Sequence, residues 1–316
     1  MAARRSPAGT TAPNGTIGVG APTTSLAAMN VVLDGQSLVF REFVCPWADA
    51  TSVGTINTQI EAEGGGLQCR GQRLSFASTS SLATAGAIPA ATSPTLTSTT
   101  RGAVLGWVAY EAANAAFEYA ARIGAAKAAN SFPQKNFNGL QLKGSTAAPL
   151  LGPPPSGRSP GTDINSAINT YFMAPIVWND TLGRAVVEHS RTTSNSADRA
   201  LHKWSLFAQL DAQRDYIILK FNGAFTQPDG TGVSLMPIGI PFSQGIVTLD
   251  DYKDCMYSAT VEMERAGYYY GADANKAGIT DAQSGSDPGR INMVYTATAM
   301  VDVDIVSIVA NRVSSI

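Results

Sequence analysis

The first clear pattern of apolar and polar positions predicts a β-strand over residues 38–47. Its sequence, "LVFREFVCPW", is rich in the aromatic and β-branched residues that favour strands. Arg41 and Glu42 interrupt this apolar run. Because successive side chains of a strand point to opposite faces, these two charges cannot pair with each other, and each needs a partner on its own side. Since both faces are otherwise mostly apolar, we expect a sheet that is covered on both sides, by a second sheet and by neighbouring subunits.

Other segments predict further strands. An Asp34-Gly35 turn lies between two apolar runs in residues 29–44, which is the strongest short signal for a hairpin. We predict strands in four more segments, namely 168–178, 215–225, 258–271 and 290–313. Helix is the alternative for the third segment, whereas the last alternates with a period of two over an unusual length. The bulk of the chain is therefore predicted to be an antiparallel β protein.

One helix is well marked, over residues 103–130. The segment is rich in alanine, which favours helix intrinsically. Larger side chains recur at spacings of three and four and predict one packed stripe. The stripe consists of Trp107, Tyr110, Asn114, Phe117 and Ala121. Gly124 is expected to divide or end this helix.

Segments of low complexity predict the domain organisation. Residues 1–28 consist largely of Gly, Pro, Ala, Thr and Ser, which predicts a flexible N-terminal arm. Residues 29–316 are then the main domain, and the Pro/Gly/Ser-rich connector 144–162 is the candidate boundary inside it. Residues 77–100 are predicted to be loop or edge strand.

The charge composition favours a protein that assembles. Charged residues make up 15% of the 316-residue chain and hydrophobic residues 44%, whereas an average soluble domain has about 25% charged residues. A surface covered by copies of the same chain needs fewer charges than a solvated one. Residues 64–162 carry eight basic and two acidic side chains, a net charge of +6, which makes this middle segment a candidate for contact with nucleic acid.

Candidate catalytic and targeting signals are weak. Three cysteines without a CxxC pair and only two histidines, His189 and His202, allow no zinc-site spacing. No G-x-S-x-G elbow presents a nucleophile, so we predict that the protein is not an enzyme. The sequence contains no apolar run that could span a membrane and no signal peptide core. We expect an intracellular protein or a component of a particle assembled inside a cell.

Acidic residues in the last third of the chain form candidate calcium ligands. Residues 273–284 match a calcium loop in part, with acceptors at the first, third and ninth positions and Gly at the sixth. The loop lacks the bidentate Glu at its twelfth position, where Ser284 stands. Carboxylates recur in three places and could be completed by a partner chain. The candidate ligands are Asp250, Asp251, Asp254, Asp273, Asp302 and Asp304.

Three segments together resemble the coat proteins of nodaviruses and tombusviruses. "LVFREFV" resembles their first shell strand, where a basic residue, Glu and an aromatic residue stand together. "GWVAYEAANAAFEYAARIG" (106–124) is similar to a Trp followed by a short helix ending in Phe-Glu-x-Tyr and a basic residue. "PGRINMVYTATAMV" (288–301) resembles the last shell strand. The resemblance implies an eight-stranded antiparallel jelly-roll sandwich, with an inserted Ala-rich helix, that assembles into an icosahedral shell.

The same resemblance implies a function and partners. It implies a viral capsid protein that self-assembles around genomic RNA in the host-cell cytoplasm, without catalysis and with Ca²⁺ between subunits. Such proteins have a long basic arm, whereas this arm offers only two arginines. Positive charges of the arm and of the basic middle would then contact the genome. The candidates are Arg4, Arg5, Arg70, Arg73, Arg101, Lys127, Lys135 and Lys143.

Two other classes of protein remain open from the sequence. The first is a helical nucleoprotein or phage structural protein built around the Ala-rich helix. The second is a β-rich carbohydrate-binding protein or hydrolase with a ligand cleft. The first predicts a helix-dominated circular dichroism spectrum, and the second predicts a stable monomer whose melting temperature depends on a ligand.

Overall fold

A computed structural model describes the greater part of the chain, which divides into two compact units. The described residues are 41–64, 72–93, 95–98, 103–129, 135–143, 149–154, 156–196, 202–225, 234–235, 246–283 and 291–297. Unit 1 lies within Met1–Ser131 and Asn136–Trp204, and unit 2 within Phe132–Lys135 and Ser205–Ile316. The candidate connector 144–162 falls inside the range of unit 1.

Unit 1 is built on a six-stranded mixed sheet. Its strands are β1 (Glu42–Val44), β2 (Arg73–Ser78), β3 (Val104–Val108), β4 (Leu140–Leu142), β5 (Ala174–Asn179) and β6 (Arg184–Val187). They are ordered β1-β2-β3-β5-β6-β4 across the sheet. Strands β1, β2, β3 and β5 are parallel to one another, whereas β6 is antiparallel to both β5 and β4.

Helices connect the parallel strands. They are α1 (Ala50–Gly64), α2 (Leu82–Ala91), α3 (Ala116–Ala128) and α4 (Gly161–Asn169), with a 3₁₀ turn at Leu96–Ser98. Helix α1 joins β1 to β2, and α2 with the 3₁₀ turn joins β2 to β3. Parallel neighbours require such crossovers, because a tight turn can only join antiparallel strands.

Alternating side chains of the central strands supply two hydrophobic cores on opposite faces of the sheet. In β3, Leu105 and Trp107 enter one core and Val104 and Val108 enter the other. The first core also contains buried side chains of α1, α2 and α4, whereas the second contains those of α3. Both faces of this sheet are therefore covered by helices, and not by the predicted second sheet.

Helix α3 approaches the sheet closely at two glycines, which have no side chain. A Cβ atom at Gly106 in β3 would lie 2.7 Å from Cδ1 of Ile123, and one at Gly124 in α3 would lie 2.3 Å from Cγ2 of Val44. Gly124 therefore neither divides nor ends the helix, which continues to Ala128. Its missing side chain makes room for the edge strand β1.

Unit 2 contains mainly helices among its described residues. Its helices are α5 (Trp204–Ala224), α6 (Leu249–Arg265) and α7 (Ala272–Asn275). The first residue of α5, Trp204, is the last residue of unit 1. Two short pairs of strands accompany them: β7 (Ser234–Leu235) is parallel to β8 (Ile246–Val247), and β9 (Thr280–Gln283) is antiparallel to β10 (Ile291–Val294). The buried side chains of Met263, Tyr269 and Ala272 form a separate small core.

The predicted eight-stranded antiparallel jelly roll is wrong. The main sheet is mixed, with parallel strands at its centre, and long helices make up much of both units. Central strands of a parallel sheet are buried on both faces, so their sequences are short continuous apolar runs and lack the alternation that marks a sandwich.

Individual elements show where the local predictions succeed and fail. The predicted helix 103–130 is a buried strand in its first part and helix α3 in its second. The segment 215–225, predicted to be a strand, belongs to helix α5 up to residue 224. Residues 258–265 form the end of α6, so the helical alternative for 258–271 is confirmed there. Part of the low-complexity segment 77–100 is helix α2.

Some predictions fall on residues that the structure does not describe. These are the arm 1–28, the Asp34-Gly35 hairpin and the part of the last predicted strand beyond residue 297; its beginning forms β10. Within the described ranges, no helix is long and apolar enough to cross a membrane.

Candidate functional site

A buried charge cluster links the edge strand β1 to β2 and α3. One oxygen of the Glu42 carboxylate lies 2.8 Å from Nε of Arg73, its partner in the β1–β2 register. The other oxygen lies 3.0 Å from Nζ of Lys127 in α3. The side chains of Glu42 and Lys127 are almost fully buried, with 3% and 4% of their surface exposed. This cluster supplies the partners that the Glu42 charge requires.

The cluster contains more positive than negative charge. Lys127 also donates a hydrogen bond to the Ser75 hydroxyl at 3.0 Å, and its ammonium lies 5.7 Å from the centre of the Trp204 ring. Burial lowers the pKa of Lys127, and the attraction of Glu42 opposes that shift while the nearby Arg73 adds to it. One carboxylate therefore serves two cations in a setting of low dielectric.

The candidate nucleic-acid residues lie in different settings. Arg73 and Lys127 are brought together, but both pair with the Glu42 carboxylate inside unit 1. Lys143 is exposed at the end of β4, and Lys135 is exposed within unit 2. The remaining four candidates, Arg4, Arg5, Arg70 and Arg101, lie outside the described residues. Contact of these residues with nucleic acid stays a prediction.

The acidic candidates of unit 2 have local partners. Asp251 completes a capping box with Thr248 at the start of α6, and Asp250 lies 3.6 Å from Nζ of Lys253. Asp273 accepts a hydrogen bond from the Tyr257 hydroxyl. Asp254 is exposed, and Asp302 and Asp304 lie beyond the described part of the chain. Within that part, no three acidic, histidine or cysteine side chains converge as metal ligands would. Calcium binding stays a prediction.

A second polar cluster in unit 2 joins α5 to α6. The Glu262 carboxylate accepts hydrogen bonds from the Tyr216 hydroxyl and from Nζ of Lys220, the latter at 2.6 Å. The hydrogen bond from Lys220, followed by that from Tyr216, lowers the pKa of Glu262. Because this cluster pairs its charges, it stabilises the packing of two helices and offers no free acid or base.

A buried polar segment, which we call the strap, runs over residues 189–196 in unit 1. Its sequence is "HSRTTSNS", and the residues from Ser190 to Ser194 are all buried. The Thr193 amide donates to the carbonyl of Ala103 before β3, and the Thr192 amide donates to the carbonyl of His202. The indole N–H of Trp204 donates to the Arg191 carbonyl at 2.6 Å. The strap satisfies backbone groups that would otherwise be buried without partners.

Sequence reasoning missed the strap. A run of small hydroxyl residues without apolar periodicity is typical of an exposed loop, whereas here tertiary hydrogen bonds bury it. The only local signal is Trp204, an aromatic residue with a donor that needs a buried partner. His202, a rejected catalytic candidate, has its Nε2 2.8 Å from the Ser196 carbonyl at the end of the strap.

Comparison with known proteins finds likeness in three dimensions only. No protein-family model matches the sequence, and no curated protein sequence matches it. A chain of the anti-feeding prophage baseplate, solved by cryo-electron microscopy, is similar with a TM-score of 0.60 and 14% identity, over 93% of this chain and 74% of that one.

Two crystal structures of sheath tail proteins are also similar. The protein from Desulfitobacterium hafniense has a TM-score of 0.55 and 12% identity over 91% of this chain. The protein from Listeria innocua has a TM-score of 0.56 and 10% identity over 88% of this chain. The matched regions cover 62% and 60% of those two chains, so this chain spans about three-fifths of their length. At these identities the likeness establishes the fold, which is that of these tail proteins.

The resemblance to nodavirus and tombusvirus coat proteins is therefore wrong. The three segments that carry it belong to different structures here: the first contains β1, the second contains part of β3 and most of α3, and the third contains β10. Only the first and second contribute to the main sheet, and neither lies in a jelly roll. Short apolar segments match by chance when the surrounding topology is not known.

Proposed function

We propose that this chain is a structural subunit of a phage-tail-like particle, of the sheath-tail or baseplate kind, and that it acts by associating with copies of itself. The likeness to the baseplate chain over 93% of this chain carries the proposal. The two sheath tail proteins support it, because this chain is similar in fold to both of them as well. This function corresponds to the phage structural protein that the sequence left open as an alternative.

The charge distribution supports self-association. No charged residue stands between Arg73 and Arg101, a stretch that includes all of α2. The outward positions of α2 are small, with Ala83, Ala87 and Ala90 exposed. A solvated surface normally mixes charges of both signs, whereas a surface covered by other subunits does not need them. The role is therefore structural, without catalysis, and its place is in the assembled particle.

Exposed apolar side chains in unit 2 support the same role. Tyr270 and Val294 are 68% and 60% exposed, and Leu219 on α5 is 69% exposed. Large exposed apolar residues are common singly, but several on one unit favour a surface that other subunits cover. No observation on the described residues favours genomic RNA as the partner, since Arg73 and Lys127 pair with Glu42 inside unit 1.

Sedimentation velocity of the full-length protein tests the proposal. We expect species many times heavier than the 32.9 kDa chain. We also expect their amount to change little with salt, because apolar burial is insensitive to ionic screening whereas phosphate contacts are not. A single monomeric species at every protein and salt concentration would overturn the proposal.

A matched pair of variants on α5 tests whether exposed apolar residues contribute. Leu219→Lys places a charge on the most exposed large apolar side chain of α5 and should reduce the assembled fraction. Asn222→Lys adds the same charge at an exposed polar position of the same helix and should leave that fraction unchanged. An equal effect of both substitutions would assign the change to charge in general.

A further inference from the structure

Arg191 is a buried cation in the middle of the strap. Only 7% of its surface is exposed, and its guanidinium carbon lies 4.8 Å from the centre of the Phe172 ring. Its carbonyl accepts the Trp204 indole N–H, which fixes the backbone beneath the side chain. The guanidinium therefore lies on an aromatic ring, and the backbone that carries it is fixed by Trp204.

No carboxylate neutralises Arg191 within the described part of the chain. Its Nε is buried and makes no hydrogen bond there. Burial lowers the pKa of Arg191, and no acidic group opposes the shift. A buried charge without a counterion is costly, and proteins normally pair such a group with an anion. This setting differs from that of Lys127, which has Glu42.

A second cation lies on the same side of the strap. Arg191 and Lys203 form an isolated antiparallel bridge, and residues directly opposite each other in such a pair direct their side chains to the same face. Lys203 is 8% exposed. The bridge therefore places two buried basic side chains on one face.

The backbone under the guanidinium is strained. Phe172 has a φ of +54°, a conformation that bulky residues rarely adopt, and it is the only residue other than glycine with positive φ in the described ranges. Tyr171, just before it, fills the hollow at Gly86 of α2, where a Cβ atom would lie 2.1 Å from the Tyr171 ring. Phe172 itself is half-buried. Strain of this kind is retained where the surrounding structure needs a side chain in one position.

We propose that Arg191, seated on Phe172 and flanked by Lys203, is a binding site for a single oxyanion of carboxylate or phosphate type. The planar guanidinium binds both groups through parallel N–H donors. The anion comes either from solution, as inorganic phosphate, or from a carboxylate side chain of a second copy of the chain. The second source rests on the self-association proposed above, whereas the site itself does not.

Thermal unfolding of the unassembled chain tests the site. Millimolar phosphate, compared with chloride at equal ionic strength, should raise the melting temperature of the wild-type protein by about 3 °C. Arg191→Gln should abolish that shift. Arg158→Gln removes an exposed arginine that is paired with Asp180 at 2.7 Å, and it should leave the shift unchanged. Titration calorimetry of the wild-type protein with phosphate should give one site per chain, so the test survives even if Arg191→Gln does not fold.

The effect of phosphate on assembly distinguishes the two sources. If phosphate stabilises the chain and leaves the assembled fraction unchanged, the anion comes from solution. If phosphate also reduces that fraction in the wild-type protein and not in Arg191→Gln, a carboxylate of a second copy uses the site. Absence of binding in the wild-type protein, or an equal shift in Arg191→Gln, would overturn the proposal. Failure to assemble would count against the proposed function alone.

Discussion

The ammonium of Lys127 lies 3.0 Å from the carboxylate of Glu42, and this contact joins helix α3 to the edge strand β1. Glu42 also pairs with Arg73, so one buried acid serves two buried bases. The three members are therefore not equivalent. Removing the acid leaves two cations buried together, whereas removing Lys127 leaves a neutral pair.

Glu42→Gln should destabilise the protein more than Lys127→Met. Removing one partner of a buried ion pair and leaving the other uncompensated costs about 3–5 kcal/mol, so we expect a loss of this size for Glu42→Gln. Lys127→Met keeps the volume and leaves Glu42 with Arg73, and we expect a loss below about 2 kcal/mol. Denaturant unfolding of both variants measures the difference.

Asp180→Asn provides the control for this comparison. Its carboxylate pairs with Arg158 on the surface, where water screens the charges, and we expect a far smaller effect than for Glu42→Gln. A larger loss for Lys127→Met than for Glu42→Gln would contradict the view that the cluster has one cation in excess.

The contribution of Lys127 to stability should increase with pH. Burial lowers the pKa of Lys127 in the folded protein below the ordinary value of 10.5. Between the lowered pKa and 10.5 the unfolded chain therefore holds a proton that the folded protein has lost, and the free energy of unfolding rises with pH. Comparing the pH dependence of unfolding in the wild-type protein and in Lys127→Met isolates this rise, which the variant should lack. Equal slopes in the two proteins would show that Lys127 titrates normally.

Gly86→Ala should destabilise the protein although alanine is the better helix former. The new Cβ atom would lie 2.1 Å from the Tyr171 ring, and such overpacking costs about 1–3 kcal/mol. Gly223→Ala is the matched control, because no atom lies within 4 Å of a Cβ at that helical position. Near the end of α5 it should stabilise the protein by about 0.5 kcal/mol. Thermal unfolding that gives both substitutions the same sign would refute the packing of Tyr171 on α2.

Cys45 should resist alkylation in the folded protein. Burial raises the pKa of its thiol to about 12, and the thiol donates to the Trp47 carbonyl at 3.1 Å. Since the thiolate is the reactive form, we expect alkylation by iodoacetamide in mildly alkaline buffer to be about 10³-fold slower than in the unfolded chain. Peptide mapping by mass spectrometry after labelling measures the rate, and labelling of Cys45 as fast as in denaturant would place the thiol at the surface.

The sequence predicts the surroundings of single residues better than it predicts the topology of the sheet. The charges in "LVFREFV" correctly require a partner for Glu42, whereas the sheet is covered by helices and not by the predicted second sheet. The identity of that partner depends on a β1–β2 register and on the seating of α3, which are contacts between distant parts of the chain. Local patterns contain no information about them.

The topology itself is missed for two physical reasons. The buried strand "VLGWV" has apolar side chains on both faces, so its sequence has neither strand alternation nor a helical stripe that would separate it from the helix that follows. In α5 the β-branched pair Ile217 and Ile218 favours a strand locally, whereas packing of the whole 21-residue helix overrides that preference. The strap and the surroundings of Arg191 likewise depend on tertiary contacts, which the polar sequence of the strap does not predict.

Electron microscopy of the purified full-length protein tests the central claim most directly. Negative-stain images should show uniform rings or tubes built from many copies. The ratio of absorbance at 260 and 280 nm, measured on the same protein fraction, should indicate protein without nucleic acid. Closed spherical shells rich in nucleic acid, or a uniform field of small monomers, would contradict it.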